Sequence, residues 1–411
     1  MVAFGAGASA RLHAPMFALS RPGVARAASV QPCMSLDSLL SAGPALDELT
    51  TLGQMGSTLS FADQGQNLAG LFFQASLLPY LGFLYFLGYH ANRTPKQAQF
   101  GFTFLLLFVI STVATGIVSK SVYGCSLADV DWLHGAAEAL LTTSNLYVAF
   151  GFRNALAGDA PPSGPSFRYP ALAVGIAVFG ATALGPSVLG FGAHDAFLGG
   201  LGGLPATALA AGPPLSTEPI NALSVPTWAI HFSSVFEWLF AMGMVWQYAE
   251  ATGNPKWRGL TWGMLPLHAS GVAACTYHFF YNAQPELQFL VELQAFLTLL
   301  GNSTVCVAAL RIALSNGWKP KELIPAPLRK DEPEDPAPEL PPLNPPASAP
   351  QPVALLAAEG LLLTLAASYV VKYGELLIPS SLPPFEPNAL LAAAIVLAVP
   401  SLVSYRFAKL P

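Results

Sequence analysis

TWAIHFSSVFEWLFAMGMVWQY (227–248) and the two apolar runs after it, WRGLTWGMLPLHASGVAACTYHFFY (257–281) and LQFLVELQAFLTLLGNSTVCVAALRI (287–312), decide how this chain folds. Each is long enough to cross ~30 Å of hydrocarbon as a helix rising ~1.5 Å per residue. Each also carries polar groups that a simple anchor lacks: His231 and Glu237, then His268, Cys275 and His278, then Glu292, Gln294 and Asn302. An ionisable side chain near the bilayer centre costs a few kcal/mol unless a partner or a water-filled cavity receives it. These groups are therefore expected to face one another inside a helix bundle.

Composition extends that reading to the whole chain. Hydrophobic residues make up 53% of it and charged residues 10%, with a mean hydropathy of +0.51, a balance that belongs to a multi-span membrane protein. The expected partner is the lipid bilayer. Nucleic acid is excluded as a partner, because no basic stripe with interleaved aromatics occurs. Cys33, Cys125, Cys275 and Cys306 make no C-x-x-C or other metal spacing, so neither a disulfide framework nor a metal centre is expected from spacing.

Upstream, residues 1–34 hold Arg11, Arg21 and Arg26, many Ala and Ser, and no acid. That is the composition of an organelle transit peptide, and the apolar core of a secretory signal is missing. Residues 35–66 are polar and weakly acidic. Spans are expected at 68–90, 100–118, 132–152 and 169–191, and the third, bearing His134, Glu138, Thr142, Thr143, Ser144 and Asn145, should be the most enclosed. A Gly/Pro/Ala loop reads as a connector to the central runs. Beyond them lie a Pro-rich solvated linker (316–352) and a two-span hairpin (353–411), whose second span Pro400 is expected to interrupt.

The fold class is therefore all-α with about nine transmembrane helices, the N-terminus trans and the C-terminus cis. The positive-inside rule supports this span count. With it, Arg93, Lys96, Arg153, Arg168, Lys256, Arg258, Arg311, Lys319, Lys321, Arg329, Lys330, Arg406 and Lys409 all fall cis. Only Lys120 and Lys372 fall trans. Depth follows from direction: Glu237, His268 and Asn302 form a midplane layer, while His231, His278 and Glu292, with His134 and Glu138, form a layer near the trans face.

Neutral imidazoles inside a bundle ligate haem iron or chlorophyll magnesium, so His134, His231, His268 and His278 are the candidate cofactor-binding residues. Glu138, Glu237, Glu292 and Asn302 complete the intramembrane polar cluster. Proton relay through Glu237 and His268 is a second use. Hydrogen bonding across helices, which fixes packing without further chemistry, is the third. No catalytic residue is assigned. H-x-x-x-H, H-x-x-H and H-E-x-x-H boxes, a P-loop and G-x-S-x-G are all missing.

The segments Pro226-Thr-Trp-Ala-Ile-His231, Trp257-Arg-Gly-Leu-Thr-Trp262 and Cys275-Thr-Tyr-His278 resemble the hypothetical chloroplast reading frame forty-nine family of cyanobacteria and plastids. Residues 72–156 resemble a second membrane domain of the same lineages. The resemblance implies two three-span modules, 67–156 and 224–315, joined through 157–223. It also implies a chloroplast membrane, thylakoid rather than inner envelope. The expected role is an auxiliary or assembly factor for photosynthetic membrane complexes that holds a tetrapyrrole. The alternatives are an ion or small-molecule carrier and, third, a membrane enzyme acting on a lipid, carotenoid or quinone.

Overall fold

Local chemistry sets the helix ends. Ser224 caps the helix Val225–Thr252 by accepting from the Thr227 amide, Pro226 occupies its first turn, and Gly253 ends it in the left-handed region at φ 66°. Asn388 caps the last helix in the same way, accepting from the Leu391 amide at 2.9 Å. Asp131 opens the helix Asp131–Leu156 and Arg153 sits in its last turn, each at the end where the helix dipole favours its charge.

The computed structural model describes residues 68–162, 164–195, 197–323, 343–344 and 351–410. The expected transit peptide (1–34), the polar segment 35–66 and most of the Pro-rich linker lie outside these. Nine long helices occur among the described residues and no strand does: α1 Leu68–Leu87, α2 Lys96–Val118, α3 Asp131–Leu156, α4 Tyr169–Leu184, α5 Val225–Thr252, α6 Lys256–Phe279, α7 Gln288–Ser315, α8 Val353–Leu376 and α9 Ala389–Ala408.

Packing joins α1, α7, α6, α5, α3 and α2 in sequence around a closed ring, with α4 laid on α3 and α2, α8 on α5, and α9 on α6. One hydrophobic core draws on all six ring helices. It includes Phe83, Phe102, Phe152, Tyr248, Trp257 and Ile312, with Phe407 of α9 added from outside. The two expected modules, α1–α3 and α5–α7, thus meet along two seams. At one, Thr142 donates to the Ile230 carbonyl and Asn145 to that of Ser234, each at 3.2 Å. At the other, Asn302 donates to the Ser76 carbonyl at 3.1 Å. Bonds of this kind satisfy polar side chains that lipid could not.

Seven of the nine helices are long and apolar enough to cross a membrane, namely all except α3 and α6. Those two are also the most enclosed, with 14 of 26 and 13 of 24 residues buried. Helices surrounded by other helices need not be lipophilic, and the polar content of α3 foretells its place. One local expectation is corrected. Pro400 does not interrupt α9, which runs on through it; nearby Ser401 and Ser404 turn back to the Leu397 and Pro400 carbonyls at 2.6 and 2.8 Å. The fourth span runs on past α4 to Leu189, its last turn, Gly185–Leu189, widening where Pro186 removes a donor.

Candidate functional site

Where α3 and α5 begin and α6 ends, three histidines converge: His134, His231 and His278, one from each helix. All are buried, at 8%, 4% and 4% exposure. One ring nitrogen from each lies within 4.8 Å of the others, and the ring centroids are 4.8, 4.8 and 4.9 Å apart. Close approach of α3 to α5 makes this possible. A Cβ on Gly135 would lie 2.6 Å from the Thr227 hydroxyl, so this turn of α3 has no room for a side chain.

The groups behind the rings fix the proton on two of them. His231 Nδ1 lies 2.9 Å from the Thr227 carbonyl, which can only accept, so Nδ1 carries the hydrogen and Nε2 the lone pair. Asn282 gives the same answer for His278 through one more link. Its amide nitrogen donates to the Ala128 carbonyl at 3.0 Å and to Asp129 Oδ1 at 2.8 Å. Its Oδ1 must therefore face His278 Nδ1 at 2.8 Å and accept from it, which leaves Nε2 unprotonated. Asn282 reaches back because Tyr281 and Asn282 turn the chain through positive φ, 53° and 56°, directly after α6. That conformation is uncommon for an aromatic residue and tolerated by Asn. On the third ring, Nε2 faces Glu138 Oε1 at 3.9 Å, and buried Nδ1 has no hydrogen-bond partner among the described residues.

A second buried polar group lies in the segment between α4 and α5. This segment does more than connect. It hydrogen-bonds Asp131 through the Ala193 carbonyl and Leu376 through the Ser216 amide, and it brings Glu218 into an ion pair with Lys372 of α8. Lys372 also donates to the Leu223 carbonyl at 2.7 Å, and His194 Nε2 stands 3.5 Å from Glu218. Asp131 accepts from the Ser224 amide at 2.8 Å, and its carbonyl accepts from Thr227, which ties this group to the trio. Burial, against the opposing pull of Asp131, lowers the His194 pKa below the ordinary imidazole value. The unfolded chain therefore takes up a proton near pH ~6.5 that the folded chain does not. Stability from this group is complete above that pH and declines as pH falls through it. A thermal unfolding midpoint followed from about pH 7.5 to 5.5 should drop, and the drop should be shallower in His194→Gln.

Of the candidate residues, His134, Glu138, His231 and His278 lie together in one group. Glu292, near the start of α7, takes no part in it. The midplane set stays apart. Glu237 accepts from Ser233 one turn back at 2.5 Å, Asn302 is spent on the α1–α7 seam, and both ring nitrogens of buried His268 lack partners among the described residues. Sequence reasoning missed Asn282, Asp131, His194, Glu218 and Lys372. One signal was present: Lys372 breaks the charge asymmetry, and a lone lysine in an apolar run needs a buried acid. Cys275 and Cys306 are free.

Comparison with known proteins places two families on the chain. Residues 222–311 match a family described as protein of unknown function DUF2499, and residues 69–157 match another, DUF3593. The first supplies His231 and His278 and the second supplies His134. A Ycf49-like protein of Synechocystis is 52% identical over 90 residues, which is 22% of this chain and 86% of that relative. The uncharacterized protein ycf49 of Cyanophora paradoxa is 38% identical over 86 residues, 21% of this chain and 83% of that relative. No solved structure matches. The chain belongs to the Ycf49-like family, and it joins that family's domain to a second domain of unknown function.

Proposed function

We propose that this chain is a plastid integral membrane protein that crosses the bilayer nine times, with its N-terminus lumenal and its C-terminus stromal, and that it serves photosynthetic membrane complexes as an auxiliary or assembly factor. The observation that carries the reading is the origin of the buried histidines, one from one family domain and two from the other. Two domains that build one interior site work as one unit. The relatives come from a cyanobacterium and from Cyanophora paradoxa, which fits a plastid membrane. The mature protein would consist of the polar segment 35–66, the two three-span modules, the linker at 157–223, the Pro-rich linker and the C-terminal hairpin, the transit peptide having been removed.

The tetrapyrrole version of this reading does not suit the trio. Rings whose centroids are 4.8–4.9 Å apart leave space for an atom but not for a flat macrocycle. It rests instead on His268, whose ring nitrogens both lack partners among the described residues. Fractionation of plastid membranes followed by affinity capture from mild-detergent extracts tests the main reading. Thylakoid recovery with co-purified subunits of a photosynthetic complex is expected. Recovery in the envelope with no such subunit would refute it. A Soret band that His268→Ala abolishes would establish the pigment.

One observation favours a carrier as the second reading. Glu237 Oε2 and both His268 nitrogens are buried on adjoining antiparallel helices without partners among the described residues. The Val235 side chain stands beside Gly271, and Trp238 bonds the Met264 carbonyl, which sets Glu237 and His268 at one level. Ion or proton flux in proteoliposomes that Glu237→Gln abolishes would support it, and unchanged flux would count against it.

A further inference from the structure

We infer that His134, His231 and His278 form the binding site of a single divalent transition-metal ion of the zinc class, built across the junction of the two family domains. The inference stands apart from the auxiliary-factor reading and from the carrier reading. It rests on the direction of lone pairs. Thr227 and Asn282 hold His231 and His278 as the tautomers whose Nε2 is unprotonated. His134 Nε2 lies 3.9 Å from the Glu138 carboxylate, and its buried Nδ1 has no partner among the described residues. Two of the three buried imidazoles thus keep an unprotonated Nε2, and one ring nitrogen of each of the three lies within 4.8 Å of the others, a cluster of lone pairs that a cation would satisfy. Two of the rings have an oxygen acceptor at hydrogen-bond distance behind them, the Thr227 carbonyl and the Asn282 amide oxygen, and the Glu138 carboxylate lies 3.9 Å from the third. That is the outer layer that orients histidine ligands and raises their basicity at metal centres.

Size and chemistry agree. A point at the centre of a triangle with 4.8 Å edges is about 2.8 Å from each corner, against about 2.0–2.1 Å for a zinc–imidazole bond, so each nitrogen moves inward by about 0.7 Å on binding. Side-chain rotation accommodates that. Neutral imidazoles favour zinc, copper, iron and nickel over magnesium or calcium. Three ligands leave one position open in a tetrahedral site, the pattern of metal centres that bind water or a substrate rather than serve only as braces. Spacing along the chain hides the site, because its ligands lie 97 and 47 residues apart on three helices.

The test uses the full chain, purified in mild detergent, stripped with chelator and titrated with cobalt(II) and zinc, with bound metal measured by mass spectrometry. One equivalent per chain is expected, with the ligand-field bands of four-coordinate cobalt. His231→Ala and the volume-preserving His278→Gln should each weaken binding at least 100-fold. Asn282→Ala and Glu138→Gln, which act behind the ligands, should weaken it about 10–100-fold. His268→Ala, a buried histidine elsewhere, should leave it unchanged. Thermal unfolding of each metal-free variant separates lost binding from lost fold. A folded wild type that takes up neither ion stoichiometrically would overturn the inference, and so would binding that survives His278→Gln or that His268→Ala abolishes.

Discussion

Lys372→Met is expected to destabilise the protein by about 3–5 kcal/mol, the usual result of stranding one member of a buried ion pair. Lys372 is 2% exposed, pairs with Glu218, and donates to the Leu223 carbonyl at 2.7 Å. Asp131 adds further negative charge near it. Without the ammonium, Glu218 remains as an uncompensated carboxylate and Leu223 loses its donor. The segment that this pair clamps runs directly into Ser224 and Thr227, which bond Asp131 and back His231, so the histidine end of the bundle should loosen first. Glu218→Leu added to Lys372→Met should recover most of the loss, because an apolar pair of similar volume often equals or exceeds a buried ion pair. Unfolding can be followed with a thiol-reactive dye that reports on the free, half-buried Cys275 and Cys306. A single variant that unfolds at the wild-type temperature would show that the pair is not formed.

Gly151→Val should have the second large effect, abolishing accumulation of folded protein or costing more than the ~1–3 kcal/mol of ordinary overpacking. A Cβ at Gly151 would lie 2.3 Å from the Ala98 amide nitrogen and 2.8 Å from its Cα. Backbone cannot rotate out of the way as a side chain can, so α2 and α3 would have to separate. Separation would open the core where Phe152 and Phe102 meet the rest. Gly116→Ala, on the same helix pair but with nothing within 4 Å of the added carbon, is the control. It should be neutral or stabilise by roughly 0.5–1 kcal/mol, the ordinary gain of Ala over Gly inside a helix. Equal yields of both variants would mean that α2 and α3 do not pack as described.

The enclosure of α3 was legible in the chain because a helix bearing His134, Glu138, Thr142, Ser144 and Asn145 cannot face lipid along its length. The shared depth of His134, His231 and His278 was legible as well. Depth depends only on span direction and distance from the helix end, both of which follow from apolar run lengths and the distribution of Lys and Arg. Rotation about each helix axis was not legible. Glu237, His268 and Asn302 sit at comparable depth, yet Asn302 turns to α1 and Glu237 to its own helix. Which way a side chain faces is set by the neighbours on every side, and α7 touches α1 as extensively as it touches α6.

By itself, then, the sequence determined an all-helical membrane chain, the approximate ends of its helices, and the polar levels within them, since each depends on local apolar length, capping residues and charge. Only the tertiary structure decided that the three histidines meet and that His231 and His278 each keep an unprotonated Nε2. It also decided that a Gly/Pro-rich connector carries the acid that buried Lys372 requires. Those outcomes depend on contacts between residues far apart in the chain. Such contacts arise where helices pack closely enough for Gly135 and Gly151 to be indispensable, and no periodicity along a single helix encodes them.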